Sequence, residues 1–316
     1  MAECCGHHGH SHNHAAGLTG FRLPLALGLT GAFVLIEAAA GFMSHSLALL
    51  SDAGHNLTDA LALALTWYAL VAARRPATST KTYGYHRVGI LTALLNSVVL
   101  LAISAIIFIE AIRLLARPRP VDSGLMIVVA ALALFLNTVI AAWLQHGAHE
   151  DINVRSAFVH MLGDAMSAAG VLVAAVAIRF THWSYADPLV SILIGAFIAY
   201  SAWSIVMETV NILLEGTPKG MDVGALAGAV GAVPGVYEVH DLHVWTIADG
   251  MHALSCHITV DESMAPEAAS VVRSVKAMLA ADYMVMHSTI ETECGGCISP
   301  DLYCSMQVAK DEGTKG

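Results

Sequence analysis

The chain has 316 residues, of which 56% are hydrophobic and only 13% charged, and its mean hydropathy is +0.65. Because a soluble domain has about a quarter charged residues, this composition excludes an ordinary water-soluble protein and indicates a membrane protein. Acidic residues outnumber basic ones 25 to 15, for a formal net charge of -10. That balance excludes the basic excess that nucleic-acid binding needs.

Apolar runs long enough to cross a bilayer, which takes roughly 20 helical residues, occur six times in the first two thirds of the chain. They predict transmembrane helices over residues 21–42, 47–73, 88–115, 124–144, 156–178 and 188–206. An even number of spans places both termini on one side, and the Lys and Arg bias of the connecting segments favours cytosolic termini. Short loops and compact length favour a bacterial inner membrane over a vesicle membrane.

Beyond Gly216 the composition becomes that of a soluble domain. Alternating hydrophobicity predicts strands over 239–247, 253–260 and 285–291, and helices are predicted over 225–232 and from Pro266 onward. The order helix, strand, strand, helix, strand predicts a compact α+β domain. We expect four parts: a flexible Cys/His-rich segment (1–20), a membrane all-α six-helix bundle (21–215), a cytosolic metal-binding domain (216–298) and a tail (299–316).

Two predicted spans contain the same motif, a His followed four residues later by an Asp: His55 and Asp59 in the second, His160 and Asp164 in the fifth. This separation places both side chains on one helix face. An Asp at the centre of a membrane helix costs about 2.5–3.5 kcal/mol on insertion scales, so such residues indicate function. If the two faces meet, two nitrogens and two oxygens form a tetrahedral shell for Zn(II), which Co(II) and Cd(II) also tolerate.

These groups must lose protons before they bind metal, which makes metal/proton exchange chemically direct. The alternative is that polar side chains only join helices by hydrogen bonds. We accept that alternative for Asn96, Asn137 and Ser191, but two motifs with identical spacing do not fit it. For Glu37 and Asp52, helix packing and a proton path both remain open, with packing favoured.

The soluble domain contains a second set of candidate metal ligands. Its histidines fall on three different predicted strands, and a Cys-x-x-Cys pair follows the last strand with a spacing that lets both sulfurs reach one metal. Ordinary surface histidines are the alternative. The candidate ligands of this cytosolic site are His243, His257, His287, Glu293, Cys294 and Cys297.

The N-terminal segment is too simple in composition to pack a core and is typical of a flexible metal-binding tract, with a purification tag as the alternative. Its candidate ligands are Cys4, Cys5, His7, His8, His10, His12 and His14. His86 lies in the loop between the second and third spans, near the membrane face. It is a candidate for a transient metal contact or an ordinary solvated loop histidine.

Several stretches of the chain, from residue 23 to about 297, resemble the cation diffusion facilitator family, and specifically its zinc-type members. They are SLALLSDAGHNLTD at 46–59, YGYHR at 83–87, HxxxD at 160–164, NILLEG at 211–216, HDLHVW at 240–245 and HSTI at 287–290. The resemblance implies six transmembrane helices, a ferredoxin-like cytosolic domain and a homodimer. It also implies export of divalent metal from the cytosol in exchange for protons by alternating access.

The same resemblance assigns roles to individual residues. It implies a transport site of His55, Asp59, His160 and Asp164, and the His in the first motif position implies a preference for zinc. It implies regulatory ligands at His243, His257, His287 and Glu293, a terminal pair at Cys294 and Cys297, and an N-terminal tract that completes a partner protomer's site. His86 matches the family's loop histidine.

Two features depart from the family pattern. The His-rich loop that many eukaryotic members have between the fourth and fifth spans is missing. Cys304 adds a third thiol, so which two of Cys294, Cys297 and Cys304 bind metal stays open.

Three functions compete. The first is a Zn(II), or Cd(II)/Co(II), transporter whose partners are metal ions, protons, membrane lipid and a second copy of the chain. The second is a membrane-anchored zinc sensor without transport. The third, an intramembrane metalloenzyme, is disfavoured because a catalytic zinc needs an open position and no HExxH motif occurs. We therefore predict a transporter and not an enzyme.

Overall fold

A computed structural model describes residues 22–145, 152–248, 250–260, 267–294 and Leu302. Among these residues the first six helices are α1 (Arg22–Ser44), α2 (Leu47–Ala73), α3 (Val88–Ala116), α4 (Ser123–Gln145), α5 (Ile152–Thr181) and α6 (Ala186–Leu213). They are followed by α7 (Val223–Gly231), β1 (Val236–Ala248), β2 (Met251–Val260), α8 (Ala268–Tyr283) and β3 (Val285–Cys294).

Five of the predicted membrane spans are confirmed as helices of sufficient length and apolarity. These are α2, α3, α4, α6 and, over Ala157–Thr181, α5. The first predicted span coincides with α1, of which Gly31–Ser44 is found as an apolar helix among the residues whose side chains the structure describes. The sixth crossing therefore stays a prediction.

The chain divides into two compact units. Among the described residues, the first unit comprises those within 22–64 and 98–203, and the second comprises those within 65–97 and 204–302. The core of the first unit combines Leu49 and Met126 with small side chains such as Ala130, Ala175 and Ala202, all buried. Small residues allow membrane helices to approach closely and pack by van der Waals contact.

The second unit contains the predicted α+β domain, and the order of its elements is confirmed. The sheet is mixed: β1 pairs with β2 antiparallel, and β2 pairs with β3 parallel. Helices α7 and α8 pack on it, burying Leu226, Leu254, Ile258, Val275 and Leu279. Strand β1 begins at Val236 rather than 239 and β3 continues to Cys294 rather than 291, while α8 begins at Ala268.

A β-bulge in β1 decides which side chains share a face of this sheet. His240 pairs with His257 whereas His243 pairs with Ser255, so β1 advances one residue more than β2 between these pairs. Asp241 adopts a left-handed conformation with φ 49°, which Asp tolerates better than most residues. Strict alternation would place His240 and His243 on opposite faces. The bulge puts both on the face that contains His257.

Candidate metal sites

Helices α2 and α5 meet through three pairs of polar side chains. Ser167 Oγ donates a hydrogen bond to Asp52 Oδ1 at 2.7 Å. Next along α2, His55 Nε2 lies 3.5 Å from Asp164 Oδ1. One turn further, Asp59 Oδ2 lies 3.4 Å from His160 Nε2. The residue numbers rise along α2 as they fall along α5, so the helices run in opposite directions here.

This opposite orientation explains why one motif occurs on both helices. Two copies of His-x-x-x-Asp on antiparallel helices place each His against the other helix's Asp. Each His also lies near the Asp of its own helix, with 3.5 Å from His55 Nε2 to Asp59 Oδ2 and 3.6 Å from His160 Nε2 to Asp164 Oδ2. The structure thus brings together all four side chains that the sequence selects.

The separations in this cluster suit a tetrahedral metal ion. Ligand atoms about 2.0–2.2 Å from a tetrahedral Zn(II) lie about 3.3–3.6 Å from one another. The four nitrogen-to-oxygen distances are 3.4–3.6 Å, longer than the typical hydrogen bond of about 2.7–3.2 Å. His55 lies near Oδ1 of Asp164 and His160 near its Oδ2. The group whose ligand atoms all lie within 4.8 Å of one another comprises His55, Asp59 and Asp164, with His160 beside it. Asp59 Oδ2 is buried without a hydrogen-bond partner. A divalent cation among these atoms would satisfy it.

The cluster is more exposed at one end than at the other. Side-chain exposure is 46% for His160 and 25% for Asp59, but 16% for His55 and 8% for Asp164. Beyond them Asp52 is 3% exposed. Side-chain exposure therefore decreases from the end where α5 begins toward the Asp52–Ser167 hydrogen bond.

A further contact fixes α1 against this part of α2. Asn56, which follows His55, donates from Nδ2 to Glu37 Oε2 at 2.8 Å, and Glu37 is fully buried. Both Glu37 and Asp52 thus make interhelical hydrogen bonds, as the favoured packing role requires. Sequence reasoning misses Ser167, although it lies one turn beyond Asp164, because a single Ser in an apolar helix is common.

In the second unit a carboxylate lies between two imidazoles on the outer face of the sheet. Glu293 Oε2 is 3.3 Å from His240 Nε2, and Glu293 Oε1 is 3.0 Å from His257 Nδ1. The ligand atoms of these three residues lie within 4.8 Å of one another. Glu293 Oε2 and His240 Nδ1 are buried without a hydrogen-bond partner. The donor set of two nitrogens and a carboxylate is suitable for zinc.

Two more acids and His243 surround this cluster. Asp241, the residue at the bulge, lies 3.1 Å from His243 Nε2 through Oδ1 and 3.6 Å from His257 Nε2 through Oδ2. Glu291 Oε2 lies 3.6 Å from His257 Nε2. His243 is therefore connected to the cluster through Asp241, which lies between His243 and His257.

The predicted cytosolic set and the observed cluster differ at three histidines, of which His243 lies beside the cluster through Asp241. His240 belongs to the cluster, and sequence reasoning misses it because the alternation of β1 conceals the bulge. His287 instead has its ring edge-on to Tyr83, with centroids 5.6 Å apart. His86 lies in neither of the candidate metal groups found among the described residues.

The cysteines contribute little to the described part of these sites. Cys256 is buried on the core face of β2, and burial raises the pKa of its thiol to about 11. The Cys256 side chain therefore lies on the opposite face of the sheet from the cluster of His240, His257 and Glu293. Cys297, Cys304, the N-terminal candidates from Cys4 to His14 and the side chain of Cys294 lie outside the described residues.

Two family models match nearly the whole chain. The cation efflux transmembrane domain matches residues 23–214, and the cation efflux protein cytoplasmic domain matches residues 218–294. The chain belongs to the cation diffusion facilitator family. The members of this family are transporters and not enzymes, so the intramembrane metalloenzyme is excluded.

Curated relatives of similar length share about a third of their residues with this chain. Metal cation efflux system protein CzcD of Cupriavidus metallidurans is 37% identical over 93% of this chain and 92% of its own length. Zinc transporter ZitB of Escherichia coli is 36% identical over 95% and 97%. A cadmium, cobalt and zinc/H(+)-K(+) antiporter of Bacillus velezensis is 35% identical over 90% and 92%.

These matches, together with the five apolar helices, identify an integral multi-pass membrane protein of the metal efflux class. Metal ions are its substrates, and the cytoplasmic match is to the family's dimerisation domain, which fits a homodimer. The sensor without transport is disfavoured, because the family consists of transporters.

Proposed function

We propose that this protein exports Zn(II) from the cytosol in exchange for protons, by alternating access to a tetrahedral site of His55, Asp59, His160 and Asp164. The observation that supports this most is the set of 3.4–3.6 Å distances between imidazole nitrogens and carboxylate oxygens. They fall within the range of separations between the ligands of a tetrahedral zinc ion, and the ligand atoms of His55, Asp59 and Asp164 all lie within 4.8 Å of one another. The name of the relative ZitB supports zinc as the substrate.

Charge balance supports proton exchange. With both imidazoles neutral, the two carboxylates give the site two negative charges. One Zn(II) or two protons would each neutralise it, and an uncompensated charge in the bilayer is costly. Metal release toward one side is therefore favoured when protons from that side take its place. The Bacillus velezensis relative, by its name, is also a proton-coupled antiporter.

Sidedness follows from the topology that we propose. With six spans and cytosolic termini, α5 begins on the cytosolic side, so the more exposed end of the site faces the cytosol. Zinc enters between His160 and Asp59, and the Asp52–Ser167 hydrogen bond has to break before zinc leaves on the other side. A bacterial inner membrane is the proposed location.

The cytosolic domain is proposed to be a ferredoxin-like regulatory module in a homodimer. His240, His257 and Glu293 would hold its zinc, with Asp241 and His243 beside them. Cys294, Cys297 and His287 stay candidate ligands, as do the N-terminal Cys and His residues, which would complete the partner protomer's site.

The test is zinc uptake into proteoliposomes that contain the full chain, with the lumen acidic. We expect uptake that collapses when a protonophore removes the gradient, and that is lost in His160→Ala and Asp59→Ala. Asn137→Ala, which removes a polar side chain from α4, is the matched control and should transport normally. Undiminished uptake by Asp59→Ala would refute the proposed site.

The second candidate function is transport of Cd(II) or Co(II). Imidazole and carboxylate donors separate these ions poorly from Zn(II), and one relative is named for all three. Parallel uptake assays with each ion decide between the candidates. A higher kcat/KM for Cd(II) or Co(II) than for Zn(II) would favour the second.

A further inference from the structure

A carboxylate of α6 binds the beginning of α2. Asp187 is fully buried. Its Oδ1 accepts hydrogen bonds from Ser46 Oγ at 2.5 Å and from the Ala48 amide at 3.2 Å, and its Oδ2 accepts one from the Leu47 amide at 2.8 Å. These contacts join segments that are 139–141 residues apart in sequence.

Asp187 provides hydrogen-bond acceptors for backbone amides that have no partner within α2. The first amides of a helix have no partner within it and are normally capped by a nearby side chain. Ser46 provides that local cap for α2, because its Oγ accepts from the Leu49 amide at 3.2 Å. Asp187 accepts hydrogen bonds from the first two amides of α2, those of Leu47 and Ala48, and from the Ser46 hydroxyl. Since Asp187 also lies in the first turn of α6, one negative charge serves the positive ends of two helix dipoles.

This contact is connected to the metal ligands on both sides. His55 lies eight residues into α2, about 12 Å along its axis. On the other side, α5 ends at Thr181 and a short turn, closed by the Ala186 amide donating to the Trp183 carbonyl at 3.1 Å, leads into α6. Asp187 therefore joins the start of α2, which contains one His/Asp pair, to the first turn of α6, and a short turn links α6 to the end of α5, which contains the other pair.

We propose that Asp187 is a positioning residue of the transport site, which holds α2 in register with α5 by capping α2 from α6. The location of the transport site rests on the proposed function. A carboxylate that only stabilised a helix end would affect how much protein folds. A carboxylate that sets the register would also affect how tightly the folded protein binds its substrate.

The experiment compares Asp187→Ala and Asp187→Asn with the unaltered full chain in proteoliposomes. We measure KM for zinc, kcat per monodisperse protein and the midpoint of thermal unfolding. We expect KM to rise about tenfold, equal to about 1.4 kcal/mol of binding, in Asp187→Ala. A smaller rise is expected in Asp187→Asn, which keeps one acceptor oxygen and serves if the Ala variant does not fold.

A double variant separates positioning from capping. Ser46→Asp in the Asp187→Ala background places a carboxylate at the local cap of α2 without a connection to α6. We expect thermal stability to recover while KM stays high. Recovery of both would overturn the proposal, because capping alone would then explain the effect, and an unchanged KM in the single variants would overturn it too.

Asp122→Ala is the matched control. Asp122 is an exposed residue that caps α4 from its own segment, accepting from the Gly124 and Leu125 amides at 3.0 and 3.3 Å. Its loss should lower stability and leave KM unchanged, and an equal rise in KM would contradict a specific role for Asp187. If Asp59→Ala keeps transporting, the proposed function fails. If Asp59→Ala is inactive and Asp187→Ala has the unaltered KM, only the positioning role fails.

Discussion

The two candidate metal clusters use similar side chains on different backbones. The intramembrane cluster takes one His and one Asp from each of two helices, whereas the cytosolic cluster takes its ligands from three strands. Helical periodicity fixes the shared face of His55 and Asp59 without help from the rest of the fold. In the sheet, the shared face of His240 and His243 depends on a bulge at Asp241. A metal site on helices is therefore specified locally, and one on strands by pairing.

The clusters also differ in how completely their charge is compensated. The membrane cluster has two carboxylates for two imidazoles, in a medium where net charge is costly. The cytosolic cluster has Glu293, Asp241 and the exposed Glu291 around its imidazoles, and water can screen the excess. We expect loss of a ligand to stop transport in the first case and to weaken regulation in the second.

The largest difference in zinc uptake should appear when one carboxylate in each cluster is replaced by its isosteric amide. Asp164→Asn removes the most buried acid of the transport site and should reduce zinc uptake at least about 100-fold, more than the usual effect of an outer-sphere partner. Glu293→Gln should change uptake less than about tenfold. Uptake by the two variants at equal protein density provides the comparison. Equal losses would mean that the clusters do not have separate roles.

The next largest difference should be in zinc affinity, between variants of two histidines in or beside the cytosolic cluster. His240→Ala removes a nitrogen 3.3 Å from Glu293, and we expect zinc affinity at this cluster to fall about 10–100-fold. His243→Ala should have a smaller effect, because its contact is with Asp241. Competition with a chromophoric chelator, in an Asp59→Ala background that removes the transport site, measures both. A larger effect of His243→Ala would contradict the ligand set.

The bulge itself can be tested at Asp241. Asp241→Val introduces a β-branched residue at φ 49°, where a left-handed conformation costs roughly 1–2 kcal/mol. Hydrogen exchange of the β1 amides in the full chain should show local opening made easier by about that amount. Asp241→Asn tolerates this conformation and should keep the protection of β1. Equal protection in both variants would show that the bulge does not depend on this residue.

The smallest effect is expected at Cys256. Its thiol lies on the core face of β2, opposite the face that contains His257, and burial raises the pKa of this thiol to about 11. Zinc affinity of the cytosolic cluster in Cys256→Ala should stay within about twofold of the unaltered value. A tenfold fall in the chelator competition would instead make Cys256 a ligand and require the core face of β2 to rearrange.

Much of the fold was predictable from the sequence for reasons that differ along the chain. Long apolar runs predict α2 to α6 because the bilayer thickness sets helix length. The order of elements after Gly216 follows from a change in hydrophobic period. The strand ends and the start of α8 were less predictable, because backbone pairing rather than side-chain pattern decides where a strand stops.

Site residues divide in the same way. The spacing in His55–Asp59 and His160–Asp164 is sufficient to predict which side chains share a helix face. It does not predict the antiparallel register, which also brings Ser167 to Asp52. His240 needs knowledge of the bulge, and Asp187 needs knowledge that α6 begins beside α2. Each of these depends on contacts between distant segments, which no local pattern encodes.

The central claim, that zinc is bound by two imidazoles and two carboxylates in the membrane, is tested most directly by X-ray absorption. The sample is the full chain with His240→Ala and His257→Ala, loaded with one equivalent of zinc. We predict two nitrogen and two oxygen ligands at about 2.0–2.2 Å and no sulfur, and loss of the bound zinc when Asp59→Ala is added. A sulfur shell, or zinc retained after Asp59→Ala, would contradict it.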